Sequence, residues 1–245
     1  LLTREEREYL AQHRVIRLLA SPAQRPYTYF ENGEHKGIID KIMEQMARDL
    51  GVCIETVDMP TNMAMFEALK AGQVDMIADI YSDFYWADEH NVNLTIPYLR
   101  LEYVAVTRKL GSLPEKPRVA CVRGHYYTHM FVERMYPADQ RIYFDKVEDC
   151  LRAVSDGRAD VTYTKAVTAQ SDLWKGDYYD LATNGTVVFS HEVAIGVNKQ
   201  ADPILVRILN KEISQFAHQR VQDIVSKELF STKAEVSPAF VIYNY

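Results

Sequence analysis

Apolar and polar residues alternate along this chain at helical and strand spacings in turn. Ile39, Ile42, Met43, Met46 and Leu50 share one helical face, and Lys41, Glu44, Arg48 and Asp49 take the other. That predicts a helix over Gly37–Leu50, stopped by Gly51. Before it, Thr3-Arg4-Glu5-Glu6 has the capping-box pattern and predicts a short helix to about Gln12. Val15–Ala20 reads as a buried strand, and Ser21–Tyr29 as a loop with an Asn32-Gly33 turn beyond it. Val52–Val57 and Val74–Ile80 read as strands either side of a helix at Met63–Ala71. Strands and helices alternating in this order are the pattern of a parallel sheet wrapped by helices.

The order then recurs. After a strand at Glu102–Thr107 and a linker at Lys109–Lys116, strands are predicted at Arg118–Val122, Gln140–Phe144 and Asp160–Tyr163. Helices at Tyr127–Met135, Val147–Ser155 and Lys165–Leu173 separate and follow them. Two further strands, Thr186–Phe189 and Val193–Val197, precede a helix opened by Asp202-Pro203, with Pro at its first position. Another helix runs to about Leu229, and the tail from Ser237 to Tyr245 is apolar. Within this order one short unit appears twice. Ala68-Leu69-Lys70-Ala71-Gly72-Gln73-Val74-Asp75-Met76 is echoed by Ala153-Val154-Ser155-Asp156-Gly157-Arg158-Ala159-Asp160-Val161. Gly72 and Gly157 suit the position just past a helix end, where a positive φ costs glycine little. The repetition points to two similar α/β lobes.

Composition adds limits. The 245 residues are 47% hydrophobic and 25% charged, the balance of an ordered globular chain. A net charge of −6 without a basic tract argues against a nucleic-acid partner. Tyrosine is abundant, at 16 residues, which suits either a polar-aromatic pocket or an amphipathic core edge. No run reaches the ~20 apolar residues of a membrane span. No signal peptide is visible, and a start at LLTREEREYL without Met reads as an excised segment. Cys53, Cys121 and Cys150 have no metal-site spacing; a Cys121–Cys150 disulfide stays open. The seven His are scattered, so no metal and no cofactor is expected.

Several short motifs, taken in order, carry a resemblance. They are Pro26-Tyr27-Thr28-Tyr29, Gly37-Ile38-Ile39-Asp40, Gly72-Gln73-Val74-Asp75, Pro97-Tyr98-Leu99, Arg123-Gly124 and Gly157-Arg158-Ala159-Asp160. Together they resemble the family 3 extracellular solute-binding proteins, the type II periplasmic binding or Venus-flytrap fold. The lead-in Leu2-Thr3 to Arg17 is similar to flytrap domains of bacterial membrane sensors, including hybrid histidine kinases and some diguanylate cyclases. The resemblance implies two lobes, each a mainly parallel sheet flanked by helices, with a two-strand hinge. Lobe 1 would be 1–106 plus 198–245, lobe 2 would be 107–197, and the hinge strands would lie near 103–107 and 193–197. It implies a small-molecule ligand held between the lobes and an extracytoplasmic location, tethered to the membrane in a longer protein. That protein would continue into a transmembrane segment and a cytoplasmic signalling domain, with a homodimer as one possible assembly.

Amino-acid-binding members place an Arg before the Pro-Tyr return, where it pairs with the ligand carboxylate. This chain has Asp88 at or next to that place, and no Arg between Asp79 and Leu99. Where these members put an Asp for the ligand ammonium, this chain has Lys165. Where a Thr or Ser follows the Arg-Gly, it has His125, then Tyr126 and Tyr127. The charges are nearly exchanged, which favours a polar or cationic solute over an ordinary α-amino acid. Asp88 and Lys165 would either face a ligand or pair with each other. Arg123 and His125 could meet a polar end, and His125 could confer pH sensitivity. Tyr27, Tyr29, Tyr81 and Phe84 are candidates for an aromatic wall, with Tyr85 and Trp86 beside them, and Ser82 for polar contacts. The expected function is a ligand-sensing domain that signals by lobe closure. The alternatives are a free solute-binding protein of an ABC transporter, and a dehydratase-like enzyme of the same fold. No nucleophile–base set supports catalysis.

Overall fold

A computed structural model describes residues 2–20, 25–57, 62–174, 178–216 and 218–233. The chain forms two compact units. Unit 1 is Leu1–Arg100 with His191–Glu228, and unit 2 is Leu101–Ser190 with Leu229–Tyr245. The apolar tail expected at residues 237–245 lies outside the described residues.

Unit 1 opens with α1 (Arg4–Gln12). Its capping box is present: Glu6 N–H donates to Thr3 Oγ1 at 3.2 Å, and Thr3 N–H donates to the Glu6 carboxylate at 2.6 Å. Leu10 packs with Ile204 and Ile208, which docks α1 against the helix that carries them. β1 (Val15–Leu19) follows, then a hairpin of β2 (Tyr29–Glu31) and β3 (Glu34–Lys36). Asn32 at φ 53° and Gly33 at φ 82° make its turn, as Asn-Gly favours. Next come α2 (Ile38–Leu50), β4 (Cys53–Thr56), α3 (Asn62–Lys70) and β5 (Met76–Tyr81). β1 lies between β4 and β5, parallel to both.

The segment after β5, where the sequence pattern predicts no helix, forms a short one, α4 (Phe84–Glu89). Asp83 caps it by accepting from Trp86 N–H at 3.0 Å. β6 (Val92–Leu94) comes next. One apolar core cluster of unit 1 gathers Leu19, Leu69, Ile77, Ile80, Val92 and Ala194.

β7 (Leu99–Arg108) enters unit 2. It is followed by β8 (Val119–Val122), a π-helical turn at Thr128–Val132 running into α5 (Glu133–Met135), and β9 (Arg141–Phe144). The helix expected over Tyr127–Met135 is thus wound partly with the wider π pitch. Then come α6 (Val147–Ser155), β10 (Val161–Lys165), α7 (Ala166–Trp174) and β11 (Leu181–Ala182). β10 and β9 flank β8 in parallel, and β10 pairs antiparallel with β7. Leu151, Val154, Val119 and Val161 are fully buried in this unit. Cys121 and Cys150 are buried free thiols, so the open disulfide is not formed.

The two strands expected at 186–189 and 193–197 are one continuous strand, β12 (Val187–Asn198), which returns to unit 1 at His191. There it pairs antiparallel with β5 and with β6. The last helices are α8 (Ile204–Gln215) and α9 (His218–Lys233). Asp202 accepts from Ile204 N–H at 2.9 Å at the start of α8.

The sequence repeat has a definite structural job. Gly72 and Gly157 both adopt positive φ, 69° and 75°. In unit 1, Asp75 accepts from Arg17 N–H at 2.7 Å and from its guanidinium at 2.9 and 3.2 Å, while Arg17 also reaches the Gly72 carbonyl. In unit 2, Asp160 accepts from Arg118 N–H at 2.8 Å and from its guanidinium at 2.8 and 3.1 Å, while Arg118 reaches the Gly157 carbonyl. Each Asp therefore fastens a helix-ending turn to the neighbouring parallel strand by a bidentate pair. The Asp of the repeat is scaffold.

Candidate functional site

The candidate residues occupy equivalent places in both units. In unit 1 they follow the C-terminal ends of the parallel strands β1 and β5, and in unit 2 those of β8 and β10. In open α/β sheets this is the edge at which ligands bind.

In unit 1, Tyr27 is seated by backbone contacts. Ile38 N–H and Ile39 N–H, at the start of α2, donate to the carbonyls of Pro26 and Tyr27 at 3.0 and 2.8 Å. A side chain at Gly37 would put Cβ 2.5 Å from the Tyr27 carbonyl oxygen, and φ there is 125°. Only glycine suits that approach. The Tyr27 side chain is buried. Tyr29 is half-buried, and its hydroxyl donates to Glu228 at 3.3 Å. Burial, with Glu228 next in effect, pushes its phenol up to about 12, so it is a neutral donor. The Arg25 guanidinium lies 4.0 Å from the centre of its ring and pairs with Glu31 at 2.7 Å. Tyr81 meets His191 edge to face at 5.2 Å. Ser82 N–H donates to the Glu192 carbonyl at 2.9 Å, and Phe84 stands exposed at the start of α4.

Asp88 lies at the end of α4, largely exposed, with its carboxylate held by the Lys199 ammonium. Lys199 N–H also donates to the Asn91 carbonyl at 3.0 Å. Trp86 packs on the core of unit 1 and stacks with His90 at 4.2 Å, so it is structural.

Two carboxylates that sequence reasoning passed over lie among these residues. Asp79 is half-buried on β5, two positions before Tyr81 and so on the same face. Asp40, in the first turn of α2, is only 4% exposed. Its Oδ1 is 3.8 Å from His35 Nδ1 on the hairpin, and its Oδ2 has no hydrogen-bond partner. Burial pushes its carboxyl up to about 7, and the negative charges of Glu44 and Asp79 add to the rise. The signal for Asp79 was present: an acid set inside the otherwise apolar run Met76–Ile80. Asp40 gave less, because it read as an ordinary first-turn acid.

In unit 2, Arg123 is exposed, 3.9 Å from Asp145, with its guanidinium 5.4 Å from the Tyr143 ring centre. His125 is half-buried and lies edge to face with Tyr127. Burial, then the charge of Lys165, lowers its imidazole to about 4. The expectation that His125 titrates near neutrality is corrected by that burial; it is neutral at physiological pH. Lys165 closes β10 opposite Tyr103, one residue before α7 begins. Around it runs an aromatic network. Phe189 contacts Tyr103 at 5.6 Å, Tyr126 at 6.4 Å and Phe131 at 5.9 Å, and Tyr103 stacks on Tyr127 at 4.9 Å. Phe189, Phe131 and Tyr103 were not among the predicted site residues, because their partners lie far away in sequence. A cavity of about 550 Å³ in unit 2 is lined by Val104, Lys109, Gln170, Leu173, Leu181 and Asn184 among others, and none of the candidate residues lines it. It lies toward the face of β7 opposite Tyr103. Among the described residues no cluster of His, Cys, Asp and Glu is arranged to hold a metal.

Comparison with known proteins places this arrangement. Sensor protein EvgS of Escherichia coli (strain K12) is 22% identical over 234 residues, 92% of this chain. The chain spans 19% of the length of EvgS. The crystal structure of the Bordetella pertussis BvgS periplasmic VFT2 domain is similar with a TM-score of 0.77 and 21% identity, over 93% of this chain and 98% of that one. A mutant of arginine-bound ArgBP from T. maritima is similar with a TM-score of 0.66 and 22% identity, over 86% of this chain and 100% of that one. These likenesses establish the Venus-flytrap periplasmic-binding fold. The family model described as bacterial extracellular solute-binding proteins, family 3, matches residues 16–230. With that match spanning most of the sequence, the chain belongs to the family 3 bacterial extracellular solute-binding proteins.

Proposed function

We propose that this chain is an extracytoplasmic ligand-sensing domain. It binds a small polar or cationic solute between its two lobes and signals by lobe closure to a membrane-bound output domain. The observation that carries the reading is the gathering of polar and aromatic candidate residues at the C-terminal ends of parallel strands in both units. The similarity to EvgS and to a BvgS periplasmic domain supports the sensing role, and the similarity to arginine-bound ArgBP supports a cationic solute. The hinge would use β7 and β12, the two strands along which the chain passes between units. Closure is driven only by the difference in solute affinity between closed and open states. Arg123, His125, Tyr126 and Lys165 contribute from unit 2, and Tyr27, Tyr29, Tyr81, Ser82, Phe84 and Asp88 from unit 1. The role is binding, without catalysis.

The test is a thermal-shift panel of amino acids, polyamines, aromatic acids and nucleobases. A true ligand at 100-fold its Kd stabilises by about 2.7 kcal/mol. No stabilisation by any class contradicts the reading. The coding sequence around this segment tests the output. A frame running on into a transmembrane segment and a kinase or cyclase domain supports the sensor, whereas an upstream lipobox with no such continuation favours a transporter-feeding protein.

A further inference from the structure

We propose that the cavity in unit 2 is a second binding site, and that it takes a small carboxylate with an apolar body. None of the candidate residues described above lines it, and the inference does not rest on the solute-binding reading.

Its size and walls come first. At about 550 Å³ it falls within the roughly 300–1,000 Å³ of small-molecule pockets. Three parts of unit 2 enclose it. Val104, on β7, is 2% exposed and is held in the sheet by pairing with Thr164 on β10. Ala166, Gln170 and Leu173 lie three and four positions apart, so they share one face of α7. Leu181 and Ala182 form β11, which pairs antiparallel with β7 at Arg108 and Thr107. Lys109 N–H donates to the Asp180 carbonyl at 2.7 Å, which ties the end of β7 to the start of β11.

The chemistry of the lining sets the ligand class. Val104, Ala166, Leu173, Leu181 and Ala182 give the cavity an apolar side that suits a hydrocarbon body. Among the described residues that line it, Lys109 is the one charged group and no carboxylate is present. The Lys109 ammonium is exposed and has no side-chain partner among the described residues. Asp180, close by in the chain, is engaged elsewhere: its carboxylate accepts from the Ser155 hydroxyl at 2.8 Å. The Arg108 guanidinium is likewise engaged, donating to the Val154 and Ala159 carbonyls at 2.7 and 3.1 Å.

The neutral polar groups point the same way. Asn184 Oδ1 accepts from Thr186 N–H at 3.0 Å, and Thr183 Oγ1 accepts from Gly185 N–H at 3.2 Å. Those turns occupy acceptors of the lining. The amide N–H groups of Asn184 and the hydroxyl hydrogen of Thr183 remain as donors, and Gln170 adds another carboxamide. One ammonium among neutral donors, beside an apolar wall, matches a singly charged carboxylate. A cation would meet Lys109 as a like charge, and a phosphate dianion would be left half-neutralised.

The test is isothermal titration of the whole chain near neutral pH with octanoate, octylammonium, octanol and acetate. The first three share a body and differ in head group, and acetate is the head group alone. Octanoate is expected to bind tightest. Lys109→Met, which keeps the aliphatic stem and removes the charge, should weaken it about fivefold or more. Lys109→Arg should retain it. Gln170→Trp, which fills the cavity from an exposed helix position, should abolish it, and this variant decides if Lys109→Met does not fold. The proposal is overturned by no octanoate binding, by octylammonium binding as tightly as octanoate, or by unchanged octanoate affinity in folded Lys109→Met or Gln170→Trp. Octanoate binding lost in Lys165→Met but kept in Lys109→Met puts the carboxylate at the candidate site instead; that overturns the second site and leaves the solute-binding reading standing.

Discussion

Asp40 sets a specific pH signature. Burial raises its carboxyl to about 7, above the ~4 of an unfolded aspartate. The folded state therefore holds this proton more tightly than the unfolded chain does. The stability it contributes is present below about pH 4 and is lost as pH rises toward 7, at up to ~1.4 kcal/mol per pH unit. Urea unfolding at pH 5 and pH 8 should show Asp40→Asn more stable than the parent at pH 8, with the gap closing toward pH 5. A parent that gains stability over that range relative to the variant contradicts the assignment. Gly37 makes a second residue-scale prediction. With Cβ clashing at 2.5 Å against a backbone oxygen and φ at 125°, Gly37→Ala should cost ~2 kcal/mol or more in urea unfolding. At this scale the sequence was partly legible. The swap of the expected Arg for Asp88 was readable from position, but its partner Lys199 lies 111 positions away and no local pattern links them. Asp79 broke an apolar run and went unused, because strand alternation was read for core and not for the face it offers.

At the scale of elements, α4 is the clearest departure. Six residues give too few turns for periodicity to register, and Trp86 and Ala87 are held by tertiary contacts instead. The cap was nonetheless written locally in Asp83. Asp83→Ala should cost ~1 kcal/mol by chemical denaturation, and no loss would mean the helix is held by packing alone. The repeat of helix, Gly and Asp was legible as a pattern; the Arg that completes each clasp was not, because Arg17 lies far from Asp75 in sequence. Asp75→Asn should lower stability by ~1 kcal/mol through loss of charge-assisted hydrogen bonds in a partly exposed pair. An unchanged melting temperature would show the clasp to be dispensable. β12 was read as two strands because Ser190, His191 and Glu192 interrupt its apolar run, yet backbone pairing carries the strand through them.

For the whole molecule, the order of α/β elements and the doubled Gly-x-x-Asp unit pointed to two similar α/β lobes, and the ordered short motifs supplied the resemblance to the flytrap fold. Long helical faces and buried strands repeat in a local code that sequence displays. The chemistry of the candidate site was less visible because it depends on which strand ends meet which loops. The aromatic network around Phe189 is a product of that assembly. The proposed function requires the domain to change shape when it binds, so the most direct measurement is small-angle X-ray scattering of the chain, titrated with the compound giving the largest shift in the thermal panel. The account predicts a saturable fall in the radius of gyration that follows the binding isotherm. A bound chain whose radius of gyration stays at the ligand-free value would contradict closure as the signal.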